Sequence, residues 1–111
     1  MEHRHFPRIP VDLPIRIFSI DGKCYQAQLL ELSAIGMRVV MTEKFPKKLK
    51  MVDVLLPGGK RPNTSRSERM FVAHRQGPVL GLCLLNERVK FDVNRQQLDG
   101  GVYVESCKLA G

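Results

Sequence analysis

Tryptophan is absent from this chain, and aromatic residues make up only 6% of its 111 positions. Small barrels that bind single-stranded nucleic acid stack successive bases on aromatic side chains. A chain so poor in platforms is a weak candidate for that class, and no nucleic-acid polymer is expected as its partner. No hydrophobic run comes near the ~20 residues of a membrane span, so no crossing is expected. Cysteine is scarce as well: Cys24, Cys83 and Cys107 are odd in number, widely spaced and without a C-x-x-C pair. They fit free thiols in a reducing cytosol better than a disulfide framework, which makes a cytoplasmic location the expectation. Met1-Glu2-His3-Arg4-His5 has charge with no apolar core behind it and does not read as a signal peptide.

Signatures of catalysis are missing too. There is no G-x-S-x-G, no H-E-x-x-H and no phosphate-binding glycine loop. Pro57-Gly58-Gly59-Lys60 is too short for a P-loop, and the sequence places no His and acid beside Ser33. His3-x-His5 lacks Cys or carboxylate partners at metal-ligand spacing. No catalytic residue, no metal and no cofactor are expected. Acidic side chains are the last shortage, 11 against 18 basic ones, which leaves a formal charge of +7. Such an excess favours phosphate-rich partners or an anionic surface, although a merely solvated basic surface is as common. The run Lys44, Lys47, Lys48 and Lys50 has the same two readings.

What the chain does have is alternation. A length of 111 residues allows one domain with one core. Residues 1–11, basic and punctuated by Pro7 and Pro10, read as an extended arm. Leu13, Ile15 and Ile17 alternate with Pro14 and Arg16 in a first strand over 13–20. Asp21-Gly22 is a hairpin turn, and a second strand covers 23–32 with Tyr25, Ala27 and Leu29 on one face. Ser33 to Gly36 is a tight turn for which Gly36 supplies backbone freedom. Further strands fall at 37–41, 49–56, 68–75 and 79–85, with the methionines at 37, 41, 51 and 70 read as core. Residues 93–98 suggest a short helix and 102–104 one more strand. Short strands with regular punctuation and no 3.6-residue period before residue 86 predict an all-β chain, a small antiparallel barrel or sandwich.

Two local patterns suit an anionic, purine-bearing ligand. Arg4 and Arg8 are spaced by four, which in an extended arm puts both on one side, about 13 Å apart at most. A guanidinium is a planar donor fork that fits two phosphate oxygens or the O6 and N7 acceptors of guanine. The second pattern is Glu31-Leu32-Ser33-Ala34-Ile35-Gly36. A carboxylate at Glu31 can accept from guanine N1 and N2. Ser33 can bond the same base or its own turn, and Gly36 admits close approach to the backbone. Taken singly, these are a basic arm and an ordinary serine-glycine turn.

Taken together they resemble the PilZ domain family, bacterial receptors for cyclic di-GMP. That family pairs an R-x-x-x-R arm with a [D/N]-x-S-x-x-G turn across a hairpin. Arg4-His5-Phe6-Pro7-Arg8 fits the first element, Ser33 and Gly36 fit the second, and Met37-Arg38-Val39 is a typical continuation. Gly81-Leu82-Cys83-Leu84 is similar to the family's last barrel strand, so the resemblance spans residues 3 to about 86.

The resemblance implies a six-stranded antiparallel β-barrel over 12–86. An N-terminal ligand-binding arm would occupy 1–11, and 87–111 would be a C-terminal extension of the same domain. It implies a non-catalytic receptor whose arm reorders on binding and signals to a protein partner, with motility or exopolysaccharide machinery as the class of partner the family suggests. Arg4 and Arg8 would hold phosphates and guanine edges, with Ser33 and Gly36 shaping the turn beneath a base. Glu31 and Arg38 would join the ligand-binding set, with His3 and His74. Glu31 departs from the family's Asp or Asn by one methylene, so binding is expected to survive but weaken. In the family a basic residue before the first motif arginine accompanies two stacked ligands. His3 leaves that stoichiometry open, since a histidine is only partly charged near neutrality. His74 lies where some members place an aromatic against guanine, and otherwise reads as a solvent-facing strand residue. The alternative is a degenerate member that binds only protein.

Overall fold

Asp21-Gly22 reverses the chain where its composition places the turn: Gly22 takes φ 92°, a conformation that an L side chain resists. From reversals of this kind the computed structural model, described over residues 7–58, 66–93 and 101–106, builds only strands. They are β1 (Ile9–Ser19), β2 (Cys24–Leu32), β3 (Gly36–Met41), β4 (Met51–Leu56), β5 (Arg66–Gln76) and β6 (Val79–Leu84). Two shorter ones follow, β7 (Val89–Phe91) and β8 (Val104–Ser106). The first six close an antiparallel barrel in the order β1-β2-β3-β6-β5-β4, as expected, and β7 pairs with β8.

Inward positions alternate as the sequence predicts. Ile15 and Ile17, Ala27 and Leu29, and Val52, Val54 and Leu56 are buried from their respective strands, joined by Val39, Met70, Leu80 and Leu82. Each buried aliphatic side chain contributes roughly 1.5–3 kcal/mol relative to leaving it exposed. Met37, Met41 and Met70 lie in this core. Met51 does not: it is 43% exposed, because its register partner is Phe71 on the outer face. One inward position is a carboxylate, Glu68, paired with Arg66.

Boundaries moved where pairing overrides punctuation. β1 begins at Ile9, so residues 9–11 of the expected arm already belong to it, with Ile9 and Pro10 paired to β2. Pro10 and Pro14 are tolerated there because the ladder to β4 starts only at Arg16. A missing N–H therefore leaves no gap on that side. β7 escaped the sequence reading, being too short for alternation to register. The strand expected at 102–104 sits instead at Val104–Ser106, and Val102 is buried. Val93 lies in a turn, while 94–98 of the expected helix lie outside the described residues.

The topology gives the barrel two distinct ends. One carries the β1–β2 hairpin, the 42–50 loop and the Gly77-Pro78 turn. The other carries the start of β1, the 33–35 turn and the exits of β4 and β6. The C-terminal segment covers this second end, with Phe91 and Val102 buried. The Phe91 amide donates to the Ala34 carbonyl at 2.7 Å, and the Val102 amide to the Pro57 carbonyl at 2.9 Å.

Candidate functional site

Plain alternation along β2 would send Glu31 into the core with Ala27 and Leu29. The β2–β3 ladder instead shifts between Leu29 and Glu31. Leu30 is an extra residue, and its insertion resets the parity of the strand. Leu29 and Leu32 both reach the core, and Glu31 is left opposite Arg38, which is exposed. β5 repeats the device. Its ladder to β6 shifts between Val72 and His74, and His74 emerges exposed opposite Gly81 rather than following Met70 and Val72 inward.

The two bulges align one row of residues across five strands. Pro10, Glu31, Arg38, Gly81 and His74 are successive register partners on β1, β2, β3, β6 and β5. Strand spacing puts Arg38 and His74 about 10 Å apart at the backbone. Between them Gly81 presents bare backbone, and a Cβ there would come within 3.3 Å of the Cβ of His74. Cys83, two residues along β6 from Gly81, is half-buried and pairs with Phe71 on one side and Gly36 on the other. The result is a low floor with Arg38 on one flank and His74 on the other.

Arg8 reaches this surface from the start of the chain. Its Nη1 lies 3.8 Å from Oε1 of Glu31, and Nη1 of Arg38 lies 3.8 Å from the same oxygen. That oxygen is buried yet accepts no hydrogen bond among the described residues. Burial pushes the Cys83 thiol above its ordinary value, and the charge of Arg8 works in the opposite direction. Arg8 is thus close enough to be felt at the floor. The arm and the turn motif, remote in sequence, meet here; Arg4 and His3 lie outside the described residues.

The serine turn is held from three directions. The Ser33 amide donates to the Gly36 carbonyl at 2.9 Å, and the Ser33 hydroxyl bonds the same oxygen at 3.4 Å. Of its two sequence-level options Ser33 therefore takes its own turn. The Leu84 amide donates to the Ile35 carbonyl at 2.9 Å, and Phe91 holds Ala34 as above. Gly36 is required for a different reason from the one expected. Positive φ occurs at Gly22 and Gly77, not at Gly36. A Cβ on Gly36 would instead lie 2.5 Å from the Leu82 carbonyl oxygen, so the need is close strand approach, not turn conformation.

Gly81, Cys83 and Phe71 were not singled out as site residues by the sequence. Their position depends on which strands become neighbours, and β3 beside β6 is a non-consecutive pairing. At the opposite end of the barrel lies a shallow open groove of about 560 Å³, between the 42–47 loop and the Arg75–Pro78 turn. Its arginine serves the fold. Arg75 donates to the carbonyls of Phe45 and Pro46 at 2.6 and 2.9 Å and lies over the Phe45 ring, which anchors the lysine-rich loop.

Among the described residues no three His, Cys, Asp or Glu side chains gather to hold a metal. Nor is any helix there long and apolar enough to cross a membrane. Compared with known families, residues 2–90 match the model of the PilZ domain. No curated protein matches the chain.

Proposed function

The chain belongs to the PilZ domain family, and from that premise we propose that it is a non-catalytic receptor for cyclic di-GMP working in the cytoplasm. The observation that carries this reading is the convergence of Arg8, Glu31 and Arg38 on one outer face, beside the bare backbone of Gly81 and the ring of His74. A cyclic dinucleotide offers two phosphates and two flat purines. Guanidinium forks match the phosphates and the O6/N7 edge of guanine. The bare backbone of Gly81 admits a flat ring, and His74 at its margin offers a stacking face.

The output is movement of the arm. Ile9 and Pro10 are already in register with Leu32 and Glu31, so the hinge belongs just before β1. Arg4 and Arg8 swing from it to close over the ligand. A ligand that binds the closed arrangement better shifts the population toward it by its differential affinity and no more. The closed arm then offers a protein partner a new surface, and motility or exopolysaccharide machinery is the class of partner the family suggests.

Calorimetric titration with cyclic di-GMP tests the receptor reading. Wild type should bind, and Arg8→Ala should bind at least about tenfold more weakly, since a charged hydrogen bond is worth roughly 1.5–3 kcal/mol. Absence of binding by a folded wild-type protein would favour a member that recognises protein alone.

A further inference from the structure

We propose that Glu31 is an internal competitor for the ligand. Its carboxylate occupies the position between Arg8 and Arg38 that a ligand phosphate must take, and so sets the affinity of the site. The inference rests on the receptor reading and adds to it a specific role for one side chain.

The geometry is that of a single anion shared by two cations. One oxygen, Oε1, lies 3.8 Å from a guanidinium nitrogen of Arg8 and 3.8 Å from one of Arg38. Neither contact is a hydrogen bond, and the oxygen has none from elsewhere among the described residues. Its attraction to both arginines is Coulombic, without directional bonds to break. Such a contact holds both forks near one point yet yields readily to an anion that can hydrogen-bond them. Two phosphate oxygens offer each fork what this carboxylate oxygen does not.

Placement is enforced by the fold. The bulge at Leu30 turns Glu31 outward against Arg38, and the pairing of Pro10 with Glu31 brings the start of β1, and with it Arg8, to the same spot. Asp12, on the adjoining stretch of β1, accepts from the Gln28 side-chain amide. Glu31 is the carboxylate that stands between the two arginines, and a dianionic ligand meets it there. The longer side chain matters, because an aspartate at this position is one methylene short of the same bridge.

The competitor role and the guanine-acceptor role predict opposite signs. An acceptor of guanine N1–H and N2–H loses affinity when its charge is removed. A competitor gains affinity. Glu31→Gln keeps the size and deletes the charge. Calorimetry with cyclic di-GMP on Glu31→Gln should show binding about 3- to 10-fold tighter than wild type, the gain shrinking as salt is raised. Glu31→Asp should also bind tighter, by a smaller factor. In the Arg8→Ala background the gain from Glu31→Gln should fall, because half of the clamp is already gone.

A ligand-free measurement separates the clamp from the nucleotide. The side-chain Nε–H resonances of Arg8 and Arg38 should both move in Glu31→Gln. Immobility of both overturns the clamp, whatever the titration shows. Equal or weaker binding by Glu31→Gln, with wild type binding, overturns the competitor role alone. Binding by the variant but not by wild type supports it in its strongest form, a receptor silenced by its own carboxylate. Binding by neither, with both resonances displaced, overturns the receptor reading and the competitor role with it.

Discussion

Position 36 shows how little room a single residue has. The nearest obstacle to a methyl group there is the backbone oxygen of Leu82 at 2.5 Å, not the end of a flexible side chain. Relief would require β3 and β6 to separate at the pairing of Gly36 with Cys83, beside the floor of the site. Gly36→Ala should therefore lower stability by about 1–3 kcal/mol, the usual cost of overpacking, and urea unfolding measures it. A change within a few tenths would show that the strands separate freely. Glu31 makes the complementary point: a single carboxylate oxygen lies 3.8 Å from each of two arginines.

At the scale of elements, the bulges are what turn a strand pattern into a surface. Without the extra residue at Leu30 the carboxylate would face the core, and without the shift at Ala73 so would His74. Bulges recur beside functional surfaces for this reason, since they re-aim a side chain without changing the fold. β4 and β5 illustrate the regular case. Asp53 and Arg69 are direct register partners on the outer face, joined by two hydrogen bonds of 2.9 and 3.1 Å. The hydrogen bond from Arg69 holds the Asp53 carboxyl below its ordinary value. A carboxyl depressed in the folded state stabilises the fold above its unfolded pKa of about 3.9, and that contribution is lost as pH falls through the folded value. Asp53→Asn should accordingly lower Tm at neutral pH, with the gap to wild type closing below about pH 4. A gap that persists in acid would mean that the pair acts through packing instead of charge. Solvent reaches the pair, so the effect is small.

Across the whole molecule stability is unevenly distributed. The six-stranded barrel is closed, so each of its strands has two neighbours, and the stretch of β1 before Arg16, unpaired on its β4 side, carries the two prolines. β7 and β8 form a two-stranded sheet of three residues each, a size that is marginal by itself. What retains β7 is Phe91 in the core and its bond to Ala34. Hydrogen exchange should find central amides such as those of Leu29, Val39 and Leu82 opening only with global unfolding, and those of β7 and β8 opening earlier. Equal protection would make the C-terminal segment part of the same cooperative unit. The tie between Phe91 and the 33–35 turn also means that loosening this segment should be felt at the candidate site.

Most of the barrel was legible in the sequence because burial on one face imposes a period of two. The turn at Asp21-Gly22 was legible because a left-handed backbone demands glycine. Arg8, Glu31 and Ser33 were legible as candidates, from residue type and spacing, and the structure brings Arg8 and Glu31 together. The outward aim of Glu31 and His74 was not, since a bulge is a property of two paired strands and leaves no mark on either one alone. Gly81 and Cys83 joined the surface only through the neighbourhood of β3 and β6, a contact between segments far apart in the chain. Local sequence determined the strands, their core faces and the charged groups; tertiary structure decided which of those groups share a face, because register is fixed by pairing and pairing is long-range.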